Sequence, residues 1–140
     1  MPELIPALLV HDALKFQEQL SILEGHTKEA QVDIMDGKFV RNTTFSDPGQ
    51  IRAYGTSVQY ELHLMVEDPE LDFVGWRDVA NVKRVIIHAE IAKPLEPLIT
   101  TIKGAGWQAG IALNPETSWQ RIDELIPLLD TVLVMTVHPG

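Results

Sequence analysis

Carboxylates and a histidine stand at two places where a buried strand runs into a loop. The stretch AQVDIMDGKF, residues 30–39, places Asp33 and Asp36 among apolar residues, and ELHLM, residues 61–65, places His63 in a similar setting. Carboxylate and imidazole groups act as general acids and bases and as ligands of divalent metals. These residue types therefore predict proton transfer or metal binding at two strand ends.

An alternation with a period of two indicates which side chains share a face of each strand. The polar faces of the two strands carry, in order, Gln31, Asp33 and Met35, and Glu61, His63 and Met65. Successive side chains of a strand point to opposite faces, so Asp33 and His63 are expected close together, as half of a metal site. The residues alone leave a simpler interpretation open, in which Asp33 caps a turn and His63 is a hydrogen-bonded core histidine.

Loop residues near these strand ends are expected to shape the site rather than to react. Asp36 is followed by Gly37, and an Asp–Gly pair is typical of turns. We therefore expect Asp36 and Gly37 to order their loop.

Short apolar runs alternate with helical patterns along the chain. The sequence predicts strands within residues 4–10, 30–35, 58–65, 82–88, 107–113 and 131–135. Helical segments separate them, and the last is predicted to begin at a capping box of Thr117 and Gln120. One apolar face is predicted for this last helix, formed by Trp119, Ile122, Ile126 and Leu129. Such alternation predicts a parallel sheet, which binds ligands at the carboxyl ends of its strands.

Composition limits the kinds of protein this chain can be. Its 140 residues, of which 45% are hydrophobic, suit one soluble domain, and a net charge of -9 argues against a nucleic-acid partner. No cysteine is present, so any metal must be held by nitrogen and oxygen. No leader pattern and no membrane-spanning run is found, which predicts a cytoplasmic protein with no membrane partner. A homo-oligomer is left open.

A series of motifs covers essentially the whole chain. They are IPALLVHD, VDIMDGKFVRNTTF, ELHLMVEDPE, VIIHAE, GWQAGIALNPET and LDTVLVMTVHPG. In this order and spacing the series resembles the ribulose-phosphate 3-epimerase family. The resemblance implies an α/β fold, the (β/α)8 TIM barrel of the ribulose-phosphate-binding type. Residues 1–140 would form a single incomplete domain with about the first five and a half β/α units.

The resemblance also implies an activity, an isomerase reaction of the pentose phosphate pathway on a small sugar phosphate. D-ribulose 5-phosphate and D-xylulose 5-phosphate interconvert when the C3 proton is removed through a cis-enediolate and a proton returns on the other face. By position, Asp33 matches a catalytic aspartate that also binds a divalent metal of the Zn, Fe, Mn or Co type, and His63 matches a histidine ligand. The substrate pocket implied by the resemblance includes Met35, Met65, Met135 and Gly140. Asn114, which precedes Pro115, resembles a loop residue of the family, so the resemblance implies that it orders a loop near the site.

Departures from the family pattern change the metal affinity and the enzymatic activity that are expected of this chain. Gln31 stands where the pattern has a histidine ligand, and an amide oxygen suits hard cations better than Zn²⁺, so weaker metal binding is expected. The second catalytic aspartate and the phosphate-binding loops are expected beyond Gly140, so we expect these 140 residues alone to be inactive. The alternatives are a non-catalytic or altered-specificity sugar-phosphate-binding barrel and, on weaker grounds, a barrel decarboxylase or lyase.

Overall fold

The computed structural model describes residues 1–140 and contains one sheet of six parallel strands in sequence order. The strands are β1 (Ala7–Leu8), β2 (Glu29–Met35), β3 (Gln59–Met65), β4 (Val82–His88), β5 (Gln108–Leu113) and β6 (Thr131–Val134). The helices between them are α1 (Ala13–Leu23), α2 (Pro48–Ala53), α3 (Pro69–Trp76), α4 (Leu95–Gly104) and the 3₁₀ helix η1 (Trp119–Leu128). This alternation forms a half-barrel and confirms the predicted fold class, a partial (β/α) TIM barrel.

The core lies between the outer face of the sheet and the helices. Phe16 and Leu20 recur at a spacing of one helical turn on α1 and are both buried, and Trp76 closes α3 against the same core. Burial of such a side chain contributes about 1.5–3 kcal/mol relative to its exposed state. The core therefore holds the strands firmly enough to position side chains on the opposite, inner face.

Helix ends follow their sequence signals. Asp12 and Asp47 cap α1 and α2 by accepting the backbone N–H groups of Lys15 and Gln50. Pro69 opens α3, a position that suits proline because the first helical residue needs no N–H donor. The α1 helix is followed by Gly25 with a φ of 81°, a backbone conformation that favours glycine.

The last helical segment differs from the prediction. It is a 3₁₀ helix that begins after Ser118, whose hydroxyl accepts the backbone N–H of Gln120, so the capping box predicted at Thr117 is wrong. The N–H of Thr117 instead donates to the carbonyl of Asn114 at 2.9 Å and closes a turn, so the helix begins later.

The apolar face predicted for this segment is only partly used. Ile122 is buried, whereas Trp119 and Ile126 are 56% and 42% exposed. Pro127 lies inside η1 and provides no N–H, and a 3₁₀ helix has a tighter repeat than the α-helix assumed in the prediction. The predicted face is therefore correct at Ile122 and at Leu129, which packs against the core, and wrong at Trp119 and Ile126, because the segment does not follow a 3.6-residue period.

The edge strand β1 is also shorter than predicted, because it pairs only with β2. At the amino-terminal end of the inner face, Lys83 pairs with Glu29, and Arg84 pairs with Glu61 and donates to Gln108. Glu61 lies two positions before His63 on β3, and Glu29 lies four positions before Asp33 on β2. No helix combines the length and apolarity needed to cross a membrane.

Candidate functional site

The register of β2 and β3 brings the predicted chemical groups together. Asp33 lies directly opposite His63, and Met35 lies opposite Met65. The Oδ1 atom of Asp33 is 2.9 Å from Nδ1 of His63, and both residues are buried. The shared face that the period of two predicts is therefore present, at the carboxyl ends of the strands.

Gln31 completes a small cluster of polar atoms around this pair. Its Nε2 atom donates to Asp33 Oδ1 at 2.8 Å and lies 3.4 Å from His63 Nδ1. The amide nitrogen, rather than the oxygen, faces the pair. Gln31 therefore satisfies the carboxylate by donation, and a half-turn of the amide would be needed before its oxygen could bind a cation.

Behind His63 stand two further polar residues, His88 and Glu90, for which the sequence indicates no specific role. His63 Nε2 lies 2.8 Å from His88 Nε2, and His88 Nδ1 lies 3.1 Å from Glu90 Oε2. Burial, followed by the nearby His63, lowers the pKa of His88 to about 4, so this ring is neutral at neutral pH. The sequence signal is the motif HAE, residues 88–90, at the end of a buried strand.

The second carboxylate oxygen of Glu90, Oε1, is also hydrogen-bonded. Oε1 accepts the backbone N–H of Asn114 at 2.8 Å. Burial acts to raise the pKa of Glu90, but hydrogen bonds from Asn114, Thr117 and His88 outweigh it and hold that pKa below its ordinary range. The carboxylate is therefore ionised and links β4 to the loop after β5.

An open cavity of about 350 Å³ lies over the inner face at this end of the sheet. Met35 and Met65 form one wall, where they pack with Val40 and Phe39. The predicted site residues that line the cavity are Gln31, Asp33, Met35, His63, Met65, Met135 and Gly140. Asn114 does not line it and lies with Lys38 and Arg41 around a neighbouring depression that Gly140 also reaches.

The loop after β2 is fixed by Asp36. Its carboxylate accepts the backbone N–H groups of Lys38 at 2.8 Å, Phe39 at 2.9 Å and Glu67 at 2.8 Å. Burial acts to raise the pKa of Asp36, but these three donors lower it overall. Gly37 follows with a φ of 75°, a conformation that side chains rarely adopt. These contacts hold the backbone of the loop after β2 in one conformation.

Thr44 is a residue of the site region that sequence reasoning missed. Its hydroxyl donates to the backbone carbonyl of Asp33 at 2.7 Å and accepts the N–H of Met35 at 3.0 Å. The loop thus folds back and secures the end of β2. The sequence contains no signal for it, because a threonine in a polar loop has many possible partners.

The donor set around Asp33 fits part of a metal site. Tetrahedral zinc ligands lie about 2.0–2.2 Å from the ion, so two of them are about 3.3–3.6 Å apart. The 2.9 Å between Asp33 Oδ1 and His63 Nδ1 is a hydrogen-bond distance somewhat shorter than this separation, so the two side chains would move apart slightly to hold the ion. No group of three or more histidine, aspartate or glutamate side chains surrounds a common point, however. The pair, with Gln31 beside it, therefore provides part of a nitrogen and oxygen ligand set.

A half-barrel with an aspartate, a histidine and methionines at the carboxyl ends of its strands defines a protein of the (β/α)-barrel class. A family model described as the ribulose-phosphate 3 epimerase family matches residues 3–140. The chain belongs to the ribulose-phosphate 3-epimerase family.

Individual relatives agree with this assignment. The chain is 39% identical over 126 residues to the ribulose-phosphate 3-epimerase of Chlamydia trachomatis serovar D, an alignment that covers 89% of this chain and 53% of the relative. It is 36% identical to that of Treponema pallidum, covering 98% of this chain and 63% of the relative. For Bacillus subtilis strain 168 the identity is 34%, over 100% of this chain and 65% of the relative. The chain thus spans about half to two thirds of the length of these relatives.

Proposed function

We propose that this chain forms the Asp33-containing part of the active site of a metal-dependent ribulose-phosphate 3-epimerase. Its substrate would be D-ribulose 5-phosphate, and its place the pentose phosphate pathway of the cytoplasm. The observation that carries the proposal is the 2.9 Å contact between Asp33 and His63 in a cavity lined by methionines. Membership of the family supports the choice of reaction.

Asp33 is the candidate for removing or returning the C3 proton through a cis-enediolate. It lies at the cavity wall with only 8% of its surface exposed. Met35 and Met65 exclude water from this wall, and electrostatic interactions are stronger where water is excluded. Epimerisation needs a second proton-transfer group on the opposite face of the substrate. Asp33 is the only carboxylate that lines this cavity, so we expect these 140 residues alone to be inactive.

The divalent ion of such an enzyme would be held in part by Asp33 and His63. Gln31 would join them through its oxygen after the amide turns. A bound divalent cation stabilises negative charge that develops on substrate oxygens. Zn, Fe, Mn and Co ions are all candidates, and the amide of Gln31 favours the harder of them.

Cations near the mouth of the site suit an anionic substrate. Lys38 and Arg41 border the depression that adjoins the cavity at Gly140. Positive charge at a mouth raises the local concentration of an anionic ligand, which matters in a chain of net charge -9.

One observation favours a second candidate, a non-catalytic barrel that binds a sugar phosphate. The amide nitrogen of Gln31 already satisfies the oxygen of Asp33 that faces His63. A carboxylate kept in this arrangement would be a poorer base and a poorer ligand. The two candidates differ in turnover rather than in substrate binding.

Conversion of D-ribulose 5-phosphate to D-xylulose 5-phosphate tests the proposal. The full-length protein would be assayed after chelation and after separate addition of Mn²⁺, Zn²⁺, Fe²⁺ and Co²⁺. We expect a metal-dependent rate that Asp33→Asn lowers about 10²- to 10⁴-fold, the usual contribution of a positioned acid or base. Asp78→Asn, the same change on an exposed turn, should leave the rate unchanged.

Two results would contradict the epimerase proposal. The first is an Asp33→Asn rate equal to that of the unchanged protein. The second is no turnover with any metal together with saturable, calorimetrically measured binding of D-ribulose 5-phosphate, which would establish the non-catalytic alternative.

A further inference from the structure

Asp33, His63, His88 and Glu90 form a continuous chain of hydrogen-bonding groups across β2, β3 and the end of β4. The three contacts are 2.9 Å between Asp33 and His63, 2.8 Å between the histidines and 3.1 Å between His88 and Glu90. The two rings tilt by only 26° and their centroids are 5.0 Å apart, which fits rings that meet nitrogen to nitrogen. His63 is 2% exposed and His88 is fully buried, so water does not replace these contacts.

The order of donors and acceptors along this chain is fixed from the Glu90 end. An ionised carboxylate only accepts hydrogen bonds, and a neutral imidazole has one N–H and one lone pair. Glu90 Oε1 is taken by the backbone N–H of Asn114, so Oε2 accepts from Nδ1–H of His88. His88 Nε2 then has only a lone pair and accepts from Nε2–H of His63.

This order of donors and acceptors determines whether the other ring nitrogen of His63, Nδ1, carries a proton. Imidazole binds metals in its neutral form, and in that form a proton on Nε2 of His63 leaves the lone pair of Nδ1 directed toward Asp33 Oδ1, 2.9 Å away. Two acceptors at that distance need positive charge beside them, and in this structure the amide N–H of Gln31 provides a partial one, 2.8 Å from Asp33 Oδ1 and 3.4 Å from His63 Nδ1. A divalent metal meets this need, because neutral imidazole nitrogen and carboxylate oxygen are its usual ligands.

We propose that Glu90 and His88 are positioning residues that fix the tautomer of His63 and thereby present its Nδ1 atom to a divalent metal beside Asp33. The inference rests on the metal-dependent site proposed above. Partners of this kind behind a ligating histidine typically alter metal affinity 10- to 100-fold. Glu90 acts at a distance through two imidazoles and touches neither metal nor substrate.

The substitution Glu90→Gln gives an unusually specific expectation. The backbone N–H of Asn114 is a fixed donor and would keep the single amide oxygen of the new side chain. The amide NH₂ would then face Nδ1 of His88, which must become an acceptor, so the proton moves to Nε2 of His88. His63 would accept at Nε2 and carry its proton on Nδ1, where the metal binds. A change that keeps shape nearly constant should therefore invert the tautomers of both histidines.

Nitrogen NMR of the histidine rings tests this directly. The full-length protein, labelled with ¹⁵N-histidine, would be studied with one equivalent of Zn²⁺, and Zn²⁺ affinity would be measured by competition with a chelator. We expect Nε2 of His63 and Nδ1 of His88 to carry the protons and Nδ1 of His63 to bind the metal. Glu90→Gln should weaken Zn²⁺ binding about 10- to 100-fold. Glu96→Gln, the same change on an exposed face of α4, should not change it.

The unchanged protein alone is decisive if Glu90→Gln does not fold. Zn²⁺ bound through Nε2 of His63, or no Zn²⁺ bound near His63, would overturn the inference, as would equal affinity in a folded Glu90→Gln protein. No substrate is used in these measurements. An inactive protein with the expected tautomers would reject the epimerase proposal alone, whereas an active protein with the reverse tautomers would reject only this inference.

Discussion

Two aspartates three positions apart have different surroundings and therefore different prospects for chemistry. Asp36 is saturated by three backbone N–H groups, which are rigid donors that the loop needs. Asp33 is held by the side chains of Gln31 and His63, which can change partner when a ligand arrives. Proton transfer requires a carboxylate that can release its partners, so Asp33 is the better candidate.

Gln31 is the residue at which metal affinity is most easily raised. The change Gln31→His would replace an amide donor beside Asp33 by an imidazole, a better ligand of transition metals. We expect Co²⁺ to bind at least about tenfold more tightly, a difference of about 1.4 kcal/mol. The visible absorbance of bound Co²⁺ would measure it.

The matched control for this change is Gln59→His. Gln59 begins β3 and is exposed, at the opposite end of the strand from His63. It should leave Co²⁺ affinity unchanged. Equal effects of the two substitutions would show that Gln31 does not face a metal site.

At the scale of elements, β5 approaches its neighbours closely at Gly110. A Cβ atom there would lie 2.6 Å from Thr131 Cγ2 and 2.9 Å from Ile86 Cγ1. We expect Gly110→Ala to lower the free energy of unfolding by about 1–3 kcal/mol, because overpacking must shift β4 or β6. Urea unfolding would measure the loss.

Gly104 provides the matched comparison. It ends α4, and an added Cβ would contact nothing within 4 Å. Gly104→Ala should therefore be neutral or stabilising by up to about 1 kcal/mol. A destabilisation as large as that of Gly110→Ala would contradict the steric explanation.

Asp72 on α3 links the stability of the fold to pH. Burial, followed by the charge of Asp36, raises the pKa of Asp72 from 3.8 to about 6. The folded state thus binds this proton more tightly than the unfolded state, so stability is lost as pH rises from about 4 through 6. Asp72→Asn should raise the free energy of unfolding at about pH 7 by about 1 kcal/mol, and this gain should vanish near pH 4.

Urea unfolding at the two pH values would check this prediction. Asp78→Asn, on an exposed turn, is the control and should show no difference at either pH. An equal gain from Asp72→Asn at both pH values would mean that burial of the charge is not the cause.

The sequence predicted the interior strands well and the outermost elements poorly. β4 is found at the residues predicted, because its apolar residues Val85, Ile86 and Ile87 form a short buried run. β1 and η1 were predicted less well, since edge pairing and the turn at Asn114 depend on neighbours that are distant in sequence. In the site, a period of two placed Asp33 and His63 on one face. The contacts of Thr44 and Glu90 are set by distances between separate elements, and no local pattern encodes them.

Across the whole molecule, the apolar side chains of the edge strand β6 are more exposed to solvent than those of the interior strands. Val32, on the outer face of β2, is fully buried, whereas Val132 and Val134 on β6 are 38% and 68% exposed. Exposed apolar side chains on an edge strand favour association with another chain.

We therefore expect the 140-residue chain to self-associate in solution, and the double change Val132→Thr and Val134→Thr to reduce association. Threonine keeps the branched shape that suits a strand and removes apolar surface. Sedimentation velocity over a range of concentrations would measure it. Val74→Thr, on the exposed face of α3, is the control. Equal association of all three proteins would show that β6 is not the contact.

The central claim is that Asp33 transfers the C3 proton of a sugar phosphate. It is tested most directly by incubating D-ribulose 5-phosphate with the full-length, metal-loaded protein in D₂O and following the C3 hydrogen by NMR. We predict that this signal disappears with the unchanged protein and with Asp78→Asn but persists with Asp33→Asn. Loss of the C3 hydrogen at the same rate with Asp33→Asn would contradict the claim.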